Sequence, residues 1–235
     1  MNQKNKGFTL IELMLAMGFV SALLLAIAMT VIQIGNIYNR GITYKNVNQV
    51  GGSIANELQR SIDSSSPFNV TPNGTNYIDK PWGGRLCTGN YSYIWNNGSA
   101  LSPTLNTDRN IYKTSTNEIN FVKIYDSQST YCANPLQKID EVNAIELIDP
   151  GQYDLAIHGF SITSSTTADD PNSGQRLYTV QFTLGTNNQN ALFMDTLDGK
   201  VKCKPPSDPN SDPQYCSTNG FTIVARAGNE VIQND

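Results

Sequence analysis

Histidine is nearly absent from this sequence, because His158 is the only one among 235 residues. A single histidine excludes multi-histidine metal sites and leaves little room for histidine acid–base catalysis. Charged residues are scarce as well, at 15% against roughly 25% in a typical soluble domain. The net charge is −4 at pH 7. This acidic balance argues against a basic nucleic-acid-binding domain, so we expect no direct nucleic-acid binding.

Proline is absent until Pro67, and the common catalytic and nucleotide-binding motifs are absent throughout the chain. We find no GxSxG, HExxH, P-loop or GxGxxG pattern, and the chain is therefore predicted not to be an enzyme. Uncharged polar residues stand in place of charge, with 27 Asn, 19 Ser and 20 Thr. The mean hydropathy of −0.34 is an average over two segments of different composition, an apolar N-terminal stretch and a polar remainder.

The apolar stretch runs from Phe8 to Ile34 and follows a short start that carries Lys4 and Lys6. It is longer than the about 20 residues that cross a hydrocarbon core as a helix. The two lysines favour retention of the preceding end in the cytoplasm. An ordinary signal peptide cleaved at Ala26-Ile27-Ala28 is an alternative, but the apolar residues continue past that site.

Glu12 lies inside this apolar stretch, where a carboxylate costs roughly 2.5–3.5 kcal/mol on insertion scales. The string Lys6-Gly7-Phe8-Thr9-Leu10-Ile11-Glu12 resembles the class III signal of type IV pilins and of the pseudopilins of type II secretion. The resemblance implies cleavage after Gly7 by a prepilin peptidase and N-methylation of Phe8. It also implies that Glu12 neutralises the N-terminal amine of a neighbouring subunit during assembly. Many major pilins have a proline midway through this helix, and its absence here favours a minor pilin or pseudopilin.

After Ile34 the apolar residues continue as one stripe at intervals of three, four and seven, which predicts an amphipathic helix. The stripe consists of Ile37, Tyr44, Val47, Val50, Ile54, Leu58 and Ile62. Gly51-Gly52 weakens the helical pattern, and Ser64–Pro67 ends it. We therefore expect four parts: a leader peptide (1–7), a transmembrane or filament-core helix (8–35), an amphipathic helix (36–62) and a β-rich globular domain (63–235).

The polar remainder has the alternation and the β-branched and aromatic content of strands. The candidate strands are Glu118–Tyr125, Leu155–Thr163, Leu177–Leu184 and Phe221–Ala225. Leu177–Leu184 and Ala191–Met194, separated by six residues, are predicted to form a hairpin. The stretches Pro67–Asn90 and Lys202–Asn219 are expected to be long loops. Together these features predict an α+β fold, a long N-terminal α-helix packed on an antiparallel β-sheet with disulfide-bounded loops, as in the type IV pilin fold.

Four cysteines, Cys87, Cys132, Cys203 and Cys216, all lie outside the apolar stretch. An exported domain meets an oxidising compartment, so we expect disulfides rather than a zinc site, for which no CxxC pair exists. Four cysteines allow three connectivities. Proximity in the sequence favours Cys87–Cys132 and Cys203–Cys216. The second pair resembles the C-terminal disulfide-bounded loop of many type IV pilins.

Other polar and aromatic clusters have simpler explanations. Asp170–Gly174 and Asp195–Gly199 are similar to fragments of calcium loops, but neither completes the EF-hand pattern. We expect ordinary turns there and no cofactor, with calcium binding as the alternative. Tyr91, Tyr93 and Trp95 are expected to pack in the core. His158 is expected to be a packed or surface residue rather than a catalytic one.

The resemblance implies a structural subunit of a bacterial type IV pilus-like filament that serves adhesion, motility or DNA uptake. Its partners would be other pilin subunits, the prepilin peptidase, and the assembly platform with its ATPase. The chain would span the inner membrane once before it joins an extracellular pilus. A type II secretion pseudopilin is the first alternative. A single-span membrane-anchored adhesin is the second, and a secreted enzyme released at Ala28 is the third.

Overall fold

A computed structural model describes residues 8–99, 111, 119–134, 139, 143–148, 154–165 and 175–228. The leader with Gly7, the start of the predicted strand at Glu118, and Asp170–Gly174 lie outside the described residues. One long helix precedes ten short strands, so the described chain is α+β. The helix packs on antiparallel sheets, and two disulfides lie in the β-rich part.

Helix α1 (Leu10–Asp63) is 54 residues long, which corresponds to about 81 Å. Its buried residues recur at intervals of three and four, so they form a single stripe along the second half of the helix. They are Thr43, Val47, Gly51, Ile54, Leu58, Ser61 and Ile62. The helix ends at Asp63, and the backbone N–H groups of Ser64 and Ser65 donate to the carbonyl oxygens of Arg60 and Ile62 at 3.1 and 3.0 Å. The expected end of the helix is therefore close to the observed one.

The buried stripe is shorter than the amphipathic pattern predicts. Ile37 and Tyr44 belong to the pattern, yet their side chains are 72% and 56% exposed. Burial begins at Thr43, so Ile37 lies before the part of the helix that the β-rich domain covers, whereas Tyr44 lies within that length but off the covered face. The polar Thr43 is buried at the edge of the contact, where its hydroxyl donates to the Asn39 and Gln214 carbonyl oxygens (3.0 and 3.1 Å).

The first sheet has five antiparallel strands in sequential order. They are β1 (Tyr77–Lys80), β2 (Gly83–Cys87), β3 (Tyr91–Asn96), β4 (Phe121–Tyr125) and β5 (Ala144–Glu146). Strands β1 and β2 form a hairpin, so the stretch Pro67–Asn90 is not one long loop as we expected. A short helix α2 (Thr130–Ala133) packs beside β2.

The second sheet has three antiparallel strands in the order β10-β7-β6. Its strands are β6 (Leu155–Ser164), β7 (Arg176–Thr186) and β10 (Thr218–Ala227). One phenylalanine from each strand forms an aromatic row across this sheet. The ring centroid of Phe182 lies 6.3 Å from that of Phe160 and 5.0 Å from that of Phe221. Strand β10 lies against helix α1 and brings this aromatic row onto the helix.

The predicted hairpin between Leu177–Leu184 and Ala191–Met194 is wrong. Strand β7 instead pairs with β6 and β10 on its two sides, which leaves no free edge for the next segment. That segment forms β8 (Leu192–Met194) and pairs with β9 (Val201–Cys203) in a separate two-stranded ribbon. Spacing along the chain suggested a neighbour, but the chain after β7 turns away through a short 3₁₀ helix (Gln189–Ala191).

The main core lies between the helix stripe and both larger sheets. The sheets contribute large side chains to it, among them Trp95, Tyr93, Phe121, Tyr178 and Leu184. A second, smaller core lies around Ile94, Val122 and Ile124 of β3 and β4. Both faces of the first sheet are therefore partly covered. The predicted packing of Tyr93 and Trp95 in the core is confirmed by their exposure of at most 1%, whereas Tyr91 is only partly buried against it.

Candidate functional site

The N-terminal half of helix α1 is an apolar surface with nothing packed on it. Every residue from Phe8 to Ile34 is exposed, and Phe8 itself is 87% exposed. By length and composition this is the one helix in the described part of the chain that could cross a membrane. Exposed apolar surface on this scale marks a site of membrane or protein interaction.

The two hydroxyl groups inside this segment are satisfied by the helix itself. Ser21 Oγ donates to the Met17 carbonyl oxygen and Thr30 Oγ1 donates to the Ala26 carbonyl oxygen, each at 2.8 Å. Bonds of this kind remove the cost of an unpaired hydroxyl in an apolar medium. The segment therefore presents no unsatisfied side-chain polar group from Leu13 to Ile32.

Glu12 lies in the first turn of α1 and forms a capping box with Thr9. The Thr9 backbone N–H and Oγ1 donate to Glu12 Oε2 at 2.9 and 2.8 Å. In return, the Glu12 backbone N–H donates to Thr9 Oγ1 at 3.4 Å. This arrangement satisfies backbone donors that a helix start leaves free. Our sequence interpretation missed the role of Thr9, although the Thr-x-x-Glu spacing is its standard signal.

In addition to the buried stripe, the second half of the helix contacts the domain through a close approach at Gly51 and an ion pair at Glu57. A Cβ atom at Gly51 would overlap the Phe221 ring of β10, so the glycine leaves room for this ring against the helix. Further along, Glu57 Oε1 lies 2.6 Å from Lys123 Nζ on β4. Although burial alone would raise the pKa of Glu57, the Lys123 ammonium and the Tyr93 hydroxyl lower it. These contacts fix the exposed half of the helix relative to the domain.

One disulfide lies beside the helix, at the point where the buried stripe begins. Cys203 and Cys216 are bonded, with Cα atoms 5.9 Å apart, and close a segment of 13 residues. Their segment contacts the helix through Tyr215, whose hydroxyl accepts from Asn39 Nδ2 at 3.1 Å. A disulfide-bounded loop therefore lies next to the transition from exposed to buried helix.

The second disulfide joins Cys87 of β2 to Cys132 of α2, across 45 residues. Arg85 supports the same junction, because its Nη1 donates to the Tyr131 and Asn134 carbonyl oxygens at 2.6 and 2.8 Å. Burial lowers the pKa of this guanidinium to about 10, so it stays protonated at neutral pH. Both observed pairs are those that proximity in the sequence favours.

The Asp195–Gly199 turn binds a lysine where a calcium loop would bind its ion. Lys202 Nζ lies 2.6 Å from Asp195 Oδ2 and 2.8 Å from Asp198 Oδ2. The hydrogen bonds to Lys202 lower the pKa of both carboxyl groups. Within the described ranges, no cluster of three or more His, Cys, Asp or Glu residues could hold a metal ion.

His158 is partly buried at the bulge of β6, where it lines one end of a surface pocket. Its Nε2 lies 3.0 Å from the Thr186 carbonyl oxygen, and burial lowers the pKa of its imidazole. No described residue forms a nucleophile–base pair with it. His158 therefore lies on the edge strand of the second sheet.

No family model, curated protein or solved structure matches this chain. The function proposed below therefore depends on the residues and their geometry.

Proposed function

We propose that this chain is a structural subunit of a type IV pilus-like filament, cleaved after Gly7 and assembled through the exposed half of helix α1. One observation carries the proposal: an unburied apolar helix, with a carboxylate in its first turn, projects from a disulfide-bonded β domain. Its start bears the Gly7-Phe8 and Glu12 pattern of the pilin resemblance. The fold would then be a type IV pilin fold.

The Glu12 carboxylate is arranged to accept a second partner. Both hydrogen bonds from Thr9 end on Oε2, and no described residue donates to Oε1. Cleavage after Gly7 would create a cationic amine on Phe8, within about one helical turn of Glu12 in sequence. In a bundle of such helices, the free oxygen can accept the amine of a neighbour. Since a buried charge without its partner is strongly unfavourable, this pair would set the axial register of each incoming subunit.

Filament growth needs a surface that contacts a different surface on the next copy. Such head-to-tail contacts do not close on themselves and generate helical fibres. Helix α1 is about 81 Å long, and nearly half of it is exposed apolar surface. It can therefore contact other copies that are displaced along the filament axis. The partners would be other pilin subunits, a prepilin peptidase, and an assembly platform with its ATPase. The inner membrane would hold the subunit before the extracellular pilus forms.

Mass spectrometry of the mature N-terminus tests the proposal. We expect a chain that starts at a methylated Phe8 when the protein is expressed with a prepilin peptidase. Substitution of Gly7 by a bulky residue should block processing, whereas the matched change at Gly18, in the middle of the helix, should not. An intact Met1 start would favour the membrane-anchored adhesin. A start at Met29 would favour a secreted protein released at Ala28.

A second test separates assembly from anchoring. Glu12→Ala should abolish or strongly reduce filaments, because the amine of a neighbour loses its partner. Membrane insertion should be unchanged, since removal of a carboxylate makes the segment more apolar. Normal filaments from this variant would refute the amine-pairing role. Long pili on the cell surface would indicate a pilus subunit. A short filament confined to the periplasm would indicate a type II secretion pseudopilin.

A further inference from the structure

A groove lies between helix α1 and the Cys203–Cys216 disulfide, just beyond the apolar segment. Its helical wall consists of Ile37, Arg40, Gly41 and Tyr44, which share one face because they are spaced three and four residues apart. The groove has a volume of about 500 Å³, within the roughly 300–1,000 Å³ that is typical of small-ligand sites.

The groove has a defined height relative to a bilayer. Leu13–Ile32 is a run of 20 residues without a charged or amide side chain, which spans about 30 Å and matches a hydrocarbon core. Ile37 is then about 8 Å beyond the core and Arg40 about 12 Å beyond it. Helical side chains point toward the helix N-terminus, so Arg40 extends back toward the headgroup layer.

Arg40 is an exposed cation that forms no ion pair with any described residue. A guanidinium binds a phosphate through two parallel hydrogen bonds. Tyr44 and the nearby Tyr38 and Tyr215 are 56%, 66% and 47% exposed. Tyrosine is enriched at this depth because its ring is apolar and its hydroxyl is wet.

We propose that this groove binds the headgroup of an anionic phospholipid, with the lipid phosphate on Arg40, while the subunit is in the membrane. The inference rests on that part of the proposed function in which α1 spans a bilayer. An anionic lipid is favoured over a zwitterionic one because its headgroup carries no ammonium to compete with the guanidinium for the phosphate. The bound lipid would hold the disulfide-bounded loop at the membrane surface until the subunit leaves for the filament.

Native mass spectrometry of the full chain, released from bilayers of phosphatidylglycerol and phosphatidylcholine in equal amounts, tests this site. We expect phosphatidylglycerol to be retained preferentially by the wild type. Arg40→Gln should lower the preference about fivefold, the factor for one cation near an anionic surface. Lys45→Gln is the matched control. Its charge lies about 20 Å beyond the core, about 8 Å farther than that of Arg40. This extra distance is about one Debye length, so the variant should change the preference less than about twofold.

A second pair of variants tests the shape of the groove rather than its charge. Gly41 and Gly52 are both helical glycines with open space where a Cβ would be. Gly41→Leu fills the groove and should lower lipid retention, whereas Gly52→Leu should not. Glycerol 3-phosphate carries a phosphate group but no acyl chains. At the same concentration as the lipid, it should not displace the lipid. Displacement would assign the site to free phosphate compounds and overturn the proposal.

Several outcomes would overturn the inference. One is equal retention of the two lipids by the wild type, and another is equal preference in Arg40→Gln and Lys45→Gln. Variants at Arg40 or Gly41 that disrupt filaments but leave lipid retention unchanged would assign the groove to a contact between copies. The N-terminus of the same samples separates this inference from the pilin proposal. Normal Phe8 methylation without a lipid preference refutes only the lipid site. A preference for phosphatidylglycerol without Phe8 methylation refutes only the pilin processing.

Discussion

Two adjacent glycines in helix α1 allow a sharp test of the contact between the helix and β10. Gly51 faces the Phe221 ring, and an added Cβ would overlap it, whereas Gly52 has open space at the same position. Alanine is favoured over glycine in a helix interior by about 0.8–1 kcal/mol. We therefore expect Gly52→Ala to stabilise the protein by about that amount.

Gly51→Ala should gain the same free energy from the higher helix propensity of alanine. It should lose more than this gain, because the added methyl group overpacks the contact with Phe221. An extra methyl group in a well-packed core costs about 1–3 kcal/mol. The Phe221 ring cannot move freely, because it stacks on Phe182 with ring centroids 5.0 Å apart. The two variants should therefore differ by about 1–3 kcal/mol in unfolding free energy. For a domain of this size, that difference corresponds to about 2–12 °C in Tm.

Denaturant unfolding of the full chain in detergent, followed by the fluorescence of its two tryptophans, Trp82 and the buried Trp95, measures this difference. A smaller residue at 221 should relieve the clash, so Phe221→Leu should cost less in the Gly51→Ala background than in the wild type. Equal stabilisation by Gly51→Ala and Gly52→Ala would refute the close approach of β10. An additive double variant would refute the role of the Phe221 ring.

Three further predictions concern the domain. Replacement of Cys203 and Cys216 together by serine should lower the unfolding free energy by about 3 kcal/mol, the loop-closure value for a segment of this length, as measured by denaturant titration. Because the pKa of His158 is lowered by burial, the unfolded state binds its proton more readily. Stability should therefore fall as pH drops below about 6.5, and His158→Gln should remove this part of the pH dependence. NMR titration of the single imidazole checks the direction of the shift, and a normal or raised pKa would contradict it. Glu57→Gln should cost about 1 kcal/mol by thermal unfolding, because the Lys123 ammonium loses its charged partner, and no change in Tm would show that the pair adds nothing.

The helix was largely predictable from the sequence because its signals are local. The apolar run, the stripe spaced by three and four residues, and the stop at Ser64–Pro67 each depend on neighbours within a turn or two. The strands at Leu155, Leu177 and Phe221 were located for the same reason. Their partners were not, because pairing depends on contacts between distant segments, and β7 pairs on both sides.

The candidate site divides in the same way. Gly7, Phe8 and Glu12 were identified from a short string, and their roles in processing and assembly stay predictions. The capping box of Thr9 with Glu12 could also have been derived from spacing alone. Nothing local indicates that Glu57 meets Lys123, or that the Cys203–Cys216 segment lies against Asn39 and forms one side of a groove.

The sequence by itself therefore determined that this protein has an apolar helix with a carboxylate near its start, followed by a disulfide-containing β domain. The tertiary structure decided where along the helix that domain begins. It showed that Ile37 and Tyr44 stay exposed, and that Gly51 makes room for an aromatic ring 170 residues away. The physical reason is that periodicity reports which face of a helix is apolar, whereas burial depends on how far the partner surface extends.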